Sequence, residues 1–274
     1  MALFIASLNS GSNGNCYYIG NQNEAVLIDA GISCREIEIR MKQRGLSMKN
    51  IKAIFVSHEH TDHIKGVSTL AHKYTIPVYI TAETAKHGPR LIKHLSNPFF
   101  ANESISIGDL MVVPFTKEHD AVDPHSFVVS FNGITVGIIT DIGIACDQVK
   151  HYFKQCHAVF LESNYDETLL ETGRYSLLLK NRIRGGKGHI SNREALDLFN
   201  NHRSPHLTHL LLSHLSKENN SPEIAMQLFQ PSAGKVQIMV ASRYEASEVF
   251  KISTEKVSVL KVANPKTRQF RLFE

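Results

Sequence analysis

The segment Ser57-His58-Glu59-His60-Thr61-Asp62-His63 follows directly on the apolar run 51–56, and its reading decides the fold. Strand side chains alternate, so His58 and His60 point the same way as the strand ends. Asp62 and His63 fall in the following turn, which opens a helix predicted to run to about Tyr74. Two imidazoles thus face one metal ion, and a carboxylate with a third imidazole faces a point beside it. A His-rich surface loop gives no reason to gather four such donors in six residues,. One cluster cannot complete two coordination shells, and other strand ends supply the remainder. His119 comes just after the run 112–115, Asp141 ends the run 134–140, and His214 ends the run 207–213. Each alone is weak, since an isolated strand-end residue of this kind is more often a hydrogen-bonded structural residue. Together, on loops held by core strands, they specify a site for two divalent metal ions.

Outward from that segment, apolar runs at 25–28, 77–80, 110–113, 127–131, 134–139, 158–161, 207–212 and 236–240 alternate with helical patterns. Nearly continuous apolar runs are what strands covered on both faces require. Capping boxes mark helix starts at Ser33 with Glu36 and at Ser191 with Glu194, and Ser221 precedes Pro222 at a first helical position,. Gly45 is placed to end the first helix. Asn132-Gly133 between two runs is a two-residue hairpin turn, so the middle of the chain is antiparallel. The expectation is one α/β domain over residues 1–274, with two packed sheets flanked by helices.

The 274 residues, 42% of them hydrophobic, suffice for a large core,. The start, MALFIASLNSGSNGN, has no basic region before its short apolar stretch, which argues against a signal peptide or membrane span and for the cytoplasm,. Four cysteines without a C-x-x-C pair are expected to be reduced and mostly buried,. A net charge of +4 favours polyanionic partners without requiring them,. Fifteen histidines raise the expectation of metal chemistry,.

With these residues in view the chain resembles the metallo-β-lactamase superfamily over almost its whole length. The matching pattern is a strand-end Asp29 in Leu27-Ile28-Asp29-Ala30-Gly31, then H-x-H-x-D-H, then a His, an Asp and a His in order. The resemblance implies the αβ/βα four-layer sandwich, two mixed sheets packed face to face and flanked by helices. It implies that His58, His60 and His119 hold one metal, that Asp62, His63 and His214 hold the other, and that Asp141 bridges. Asp29 would fix the loop, although an N-cap or turn former accounts for it equally well. The stretches 7–15, 161–166, 188–192 and 212–220 further resemble the YycJ/WalJ group, described as metal-dependent DNA exonucleases linked to DNA repair. The fold also hosts lactamases, thioesterases and other phosphodiesterases.

The resemblance implies a phosphodiesterase in which two metals, zinc or manganese, share a hydroxide and clamp the phosphate. Asp62 would orient and deprotonate the water. Gly188-His189-Ile190-Ser191 resembles the loop carrying the acid histidine of ribonuclease Z, and Glu162 the glutamate that holds it. His189 would then protonate the leaving alkoxide; both residues also read as structural. For substrate, Ser10, Ser12 and Asn15 lie in a Gly/Ser/Asn loop able to present a nest of N–H groups, though a turn between strands has the same composition. Arg182, Arg184 and Lys187 belong to a stretch, 174–193, with no acidic residue, a track for a nucleic-acid backbone or simply a solvated face,. Asn219 is a further substrate candidate in the run that follows His214. DNA is the expected partner, no membrane is, and oligomeric state is left open. The competing readings are a small-molecule phosphodiesterase or thioester or lactone hydrolase, and a non-catalytic regulatory scaffold, which the complete ligand set disfavours. His119 and Asp141 are too close for the long arm of ribonuclease Z, and Asp141 and His214 too close for a β-CASP insertion. The other histidines, among them His125 and His157, are read as structural or surface residues.

Overall fold

The computed structural model describes residues 1–253; the last part of the expected domain, 254–274, lies outside the described residues. Among the described residues, fourteen strands form two seven-stranded sheets. The first holds β1 (Leu3–Asn9), β2 (Cys16–Gly20), β3 (Ala25–Ile28), β4 (Ile51–Phe55), β5 (Val78–Tyr79), β6 (Ser96–Asn97) and β14 (Phe250–Ile252), in the order β14-β1-β2-β3-β4-β5-β6. The second holds β7 (Ile105–Ile107), β8 (Leu110–Thr116), β9 (His125–Phe131), β10 (Ile134–Ile139), β11 (Ala158–Glu162), β12 (His209–Ser213) and β13 (Gln237–Val240), in the order β13-β12-β11-β10-β9-β8-β7. Both are mixed on one plan. Pairing is antiparallel from β14 to β3 and parallel from β3 to β6; in the other sheet it is antiparallel from β7 to β10 and parallel from β10 to β13.

The apolar runs are continuous because each strand feeds two cores. Val26, Ile28, Ala53 and Phe55 pack between the sheets against Phe127, Val129, Val136, Ile138 and Phe160. Their alternates Leu27, Ile54 and Val56 face helices α1 (Cys34–Gln43) and α3 (Val67–Tyr74), with the short α2 (Thr61–Ile64) between them in the chain. On the far side Val128, Ile139, Val159, Leu161 and Leu212 face α5 (Asp147–Phe153), α8 (Asn192–His202) and α9 (Pro222–Phe229). The remaining α-helices among the described residues are α4 (Ala82–His87), α6 (Glu167–Thr172) and α7 (Leu177–Ile183). The result is the expected four-layer sandwich, and no helix among the described residues is long and apolar enough to cross a membrane.

Local signals hold with two corrections. Asn132 and Gly133 both take positive φ, as the hairpin between β9 and β10 requires,. Helix α1 ends in paired back-bonds from Gly45 and Leu46, and the box at Ser191 and Glu194 is complete. The box at Ser33 is only half formed: Ser33 caps Glu36 N, but the Glu36 carboxylate turns to Arg40 at 3.0 Å. The helix expected to run to Tyr74 is broken at Lys65-Gly66. There Gly66 N donates to Ala30 O at 2.7 Å, and a side chain on Gly66 would meet Ile32 O at 2.1 Å. The turn after β3 wedges the helix apart.

Candidate metal centre

The site lies where β3, β4, β10, β11 and β12 reach their carboxyl ends, the side on which open α/β sheets bind ligands. Three loops are knitted there by backbone bonds: Asn15 N to Asp62 O (2.7 Å), Gly31 N to Asn15 O (2.8 Å) and Ala30 N to His63 O (2.9 Å). Gly31 admits no side chain, since a Cβ would fall 1.6 Å from Asp62 O. Asp29, Asp141 and His214, each just past a strand, adopt left-handed φ of 60°, 56° and 57°. Non-glycine residues enter that region at a cost that surrounding contacts must offset, and here it turns three side chains inward.

The imidazoles are oriented by what holds their Nδ1 atoms. Ser57 Oγ lies 2.9 Å from His58 Nδ1, Asp29 Oδ2 lies 2.7 Å from His63 Nδ1, Gly188 O lies 2.9 Å from His119 Nδ1, and Glu162 Oε1 lies 3.0 Å from His214 Nδ1. Each ring is left with Nε2 facing the centre, as ligating imidazoles commonly are. Asp29 is itself fixed by Ser57 N and Oγ, both at 2.8 Å. The donor atoms of His58, His60 and His119 lie within 4.8 Å of one another, and so do those of Asp62, His63 and His214. Asp141 sits between, Oδ2 3.4 Å from His63 Nε2 and Oδ1 3.4 Å from His214 Nε2. The buried His119 Nε2, Asp141 Oδ2 and His214 Nε2 have no hydrogen-bond partner. Such orphans cost about 1–3 kcal/mol each, and divalent ions would satisfy all three. The donor set therefore fits divalent metal.

The charges fit as well. Burial pushes His58 well below its ordinary pKa, helped by His63 and Lys117, and burial takes His119 down to about 3. Burial also disfavours charge on His63 and His214, but carboxylates outweigh it: Asp141, Asp29 and Asp62 hold His63 well above its ordinary range, and Asp141, Asp62 and Glu162 take His214 up to about 10. Burial likewise disfavours charge on the half-buried Asp62 and the buried Asp141 and Glu162, but neighbouring imidazoles outweigh it. His63 and His214 act on Asp62 and Asp141, His189 and His214 on Glu162, and these carboxyls lie below their ordinary range.

His189 is half-buried, its ring centroid 5.3 Å from that of His119 and 5.1 Å from that of His214. Its Nδ1 lies 2.8 Å from Glu162 Oε1. Glu162 does more than hold His189: the same oxygen meets His214 Nδ1, and Oε2 accepts from Ile142 N at 2.7 Å.

The substrate candidates divide. Ser10 is buried, its Oγ accepting from His214 N at 2.8 Å, and the residues 10–15 form the turn between β1 and β2. Asn15 is buried too, with Nδ2 3.3 Å from Asp62 Oδ2 and 3.1 Å from His63 Nε2. Asn219 is buried beneath Ser216 and away from solvent. Ser12 is exposed beside Arg243. The basic stretch is not of single sign in space: Arg182 pairs with Asp120 at 2.5 Å, Arg184 with Glu171 at 2.7 Å and Arg193 with Glu167 at 3.3 Å. Lys187 is exposed and unpaired among the described residues. Of the other histidines, His125 is buried against Phe99 and His157 stacks on His206. Sequence reading gave no role to Asn164, whose Nδ2 lies 3.2 Å from His214 Nδ1, or to the buried Lys117, which donates to Thr140 O at 2.8 Å beside Asp141. A lone Asn or Lys carries no spacing signal.

Comparison with known proteins agrees with this architecture. Exodeoxyribonuclease YycJ of Bacillus anthracis is 35% identical over 82% of this chain and 87% of its own length. Exodeoxyribonuclease WalJ of Streptococcus pneumoniae is 30% identical over 80% and 83%. The crystal structure of the metallo-beta-lactamase fold protein YhfI from Bacillus subtilis superposes with a TM-score of 0.70 at 14% identity, covering 92% of this chain and all of that one. With the profile of the Metallo-beta-lactamase superfamily matching residues 10–181 as well, the chain belongs to that superfamily.

Proposed function

We propose that the chain is a two-metal phosphodiesterase that shortens DNA from an end. The observation that carries this reading is His189 held at 2.8 Å by the buried Glu162 at the edge of the ligand cluster. A diester leaving as an alkoxide needs a proton from such an aimed imidazole, whereas a thiolate does not. The choice of DNA is supported by two relatives named exodeoxyribonucleases that align over about four-fifths of the chain.

In this reading His58, His60 and His119 hold one ion, Asp62, His63 and His214 the other, and Asp141 serves both. Zinc and manganese both suit imidazole and carboxylate donors, and the bound pair supplies Lewis acidity at the phosphate and an acidified water. Asp62, whose side chain is 23% exposed and so reachable by water, accepts the proton of the attacking water. Asn15 steadies its carboxylate. His189 keeps Nδ1 on Glu162 and delivers its Nε2 proton to the leaving oxygen. By distance alone Glu162 and His189 could join Asp141 and His214 around an ion, but both Glu162 oxygens are already engaged by Nδ1 and N–H groups. We therefore assign them to proton transfer. The cytoplasm suits four free cysteines, three of them buried,.

The test is hydrolysis of end-labelled single- and double-stranded DNA and RNA by stripped protein reloaded with zinc or with manganese. Metal-dependent shortening of DNA from an end is expected. Thioester hydrolysis without cleavage of DNA, by protein shown to hold both ions, would overturn the reading.

A further inference from the structure

Beside His214 three loops converge on a cavity. They are the turn between β1 and β2, the segment following β12, and the segment following β13. The cavity has a volume of about 170 Å³ and is bordered by Ser10, Leu215, Lys217, Ser242, Arg243 and Tyr244 among others. It shares a wall with the metal centre, because Ser10 Oγ accepts from His214 N and Leu215 is the next residue along the chain. Pockets that enclose a drug-sized ligand run to roughly 300–1,000 Å³, so this one has room for a single ring system and none for a polymer.

Its lining combines an exposed aromatic residue with two cationic side chains, Tyr244 with Arg243 and Lys217. Tyr244, 73% exposed as a residue, sits on a backbone that is held by hydrogen bonds. Tyr244 N donates to Ser242 Oγ at 3.1 Å, and Tyr244 O accepts from the buried Arg40 at 2.9 Å. An exposed aromatic on an anchored loop is a stacking platform. Arg243 is pinned across the floor, donating to Leu215 O at 2.9 Å. Lys217 is exposed and has no ion pair among the described residues. A ring-sized cleft with a free aromatic, a free ammonium and a direct wall onto a ligand of the metal centre matches one base and its phosphate.

Resting on the reading of the chain as a DNA exonuclease, we infer that this cavity receives the terminal nucleotide of the strand being shortened, its base on Tyr244 and its phosphate near Lys217. A site of this size beside the metals favours an end over an internal position, because a terminal nucleotide is tethered and stacked on one side only, whereas an internal one must be flipped out of the strand at the cost of its stacking.

The inference is tested with metal-loaded full-length protein by the KM for end-labelled linear single-stranded DNA and the inhibition constant of circular single-stranded DNA, which has no end. Tyr244→Ala should raise the KM for linear DNA about 5–150-fold, the alanine cost of one base stack. It should leave the inhibition constant of the circle unchanged, and Tyr244→Phe should restore the KM. Lys217→Ala should weaken linear DNA and reduce the slope of log KM against log salt by about 1. Metal content and melting temperature equal to wild type establish that the variants fold. Equal weakening of linear and circular DNA would overturn the inference by making Tyr244 a contact to internal strand, and so would an unchanged KM in Tyr244→Ala. Wild-type protein that neither cleaves linear DNA nor is inhibited by the circle would instead remove the DNA reading itself, and the terminal-nucleotide site with it.

Discussion

The first sheet delivers its proposed metal ligands from one place and the second from many. His58, His60, Asp62 and His63 come from six consecutive residues after β4, locked by Asp29 through Ser57 and His63. His119, Asp141 and His214, with Glu162 behind them, come from the ends of four different strands, β8, β10, β12 and β11. The first half of the centre is therefore a local structure, set once its loop is closed. The second exists only when the register of a whole sheet is right. Asp141 is the joint, reaching His63 with one oxygen and His214 with the other.

The largest effect should come from cutting that joint. Asp141→Asn keeps the shape and removes the charge that both halves share, so at least one equivalent of metal should be lost. Activity should drop beyond the 10–100-fold that outer partners of ligands cost. Elemental analysis and diester hydrolysis measure both. A variant that kept two ions and nearly full rate would mean the halves work independently.

His189 tests the second half without touching a ligand. His189→Ala should retain both metals yet lose roughly 10²–10⁴-fold on a diester with a poor alkoxide leaving group, the usual size of a general-acid contribution. A p-nitrophenyl diester, which needs little protonation, should suffer far less. Equal losses on both, or loss of metal, would show that His189 is a ligand or a structural residue.

The two buried carboxylates behind the ligands sharpen the contrast. Asp29→Asn loosens His63 and, through Ser57, His58, but not His189, so a loss of about 10–100-fold in metal affinity should be recovered by excess metal. Glu162→Gln disturbs His214 and His189 together, so a similar loss of affinity should leave a slow enzyme even when saturated. Full recovery of Glu162→Gln at high metal would sever Glu162 from proton transfer.

The same contrast explains what could be read before the structure. The cluster at 58–63 was legible because its spacing and its strand are both local. Strands β3 to β5 and β8 to β13 were legible because two cores make their apolar runs continuous, whereas β1, β2, β6, β7 and β14 were not among the expected runs. His119, Asp141 and His214 could be named only as a set, since nothing near each distinguishes a ligand from a structural residue. Glu162's double duty was invisible, as it depends on β11 lying between β10 and β12. The basic stretch misled for a related reason: Asp120 and Glu171, which neutralise Arg182 and Arg184, lie outside it. The break at Gly66 was hidden because its cause is the turn at 29–32.

Protons should report on the joint as well. His214 is raised to about 10 from its ordinary 6.5. In protein stripped of metal, its contribution to stability is therefore full below pH 6.5 and lost as pH rises towards 10. His63, also raised, acts in the same sense. The melting temperature of stripped protein should fall over that window, while metal-loaded protein, whose Nε2 atoms no longer titrate, should not follow it. Parallel falls in both forms would assign the proton effect elsewhere.

The smallest effect concerns the surface beside His189. Only net charge releases counterions from DNA, so an arginine already paired with a carboxylate contributes little beyond what the pair carries together. Arg184 and Glu171 are such a pair, both exposed and 2.7 Å apart, whereas Lys187 stands alone. Lys187→Gln should therefore lower the slope of log affinity against log salt by about 1. The double variant Arg184→Gln with Glu171→Gln, which leaves net charge unchanged, should bind DNA with the wild-type slope. Both are measured by titrating labelled DNA at several salt concentrations with hydrolysis suppressed by removing metal. If the double variant lost as much slope as Lys187→Gln, Arg184 would be leaving Glu171 to meet phosphate, and the stretch would act as the single-signed track that its sequence suggests.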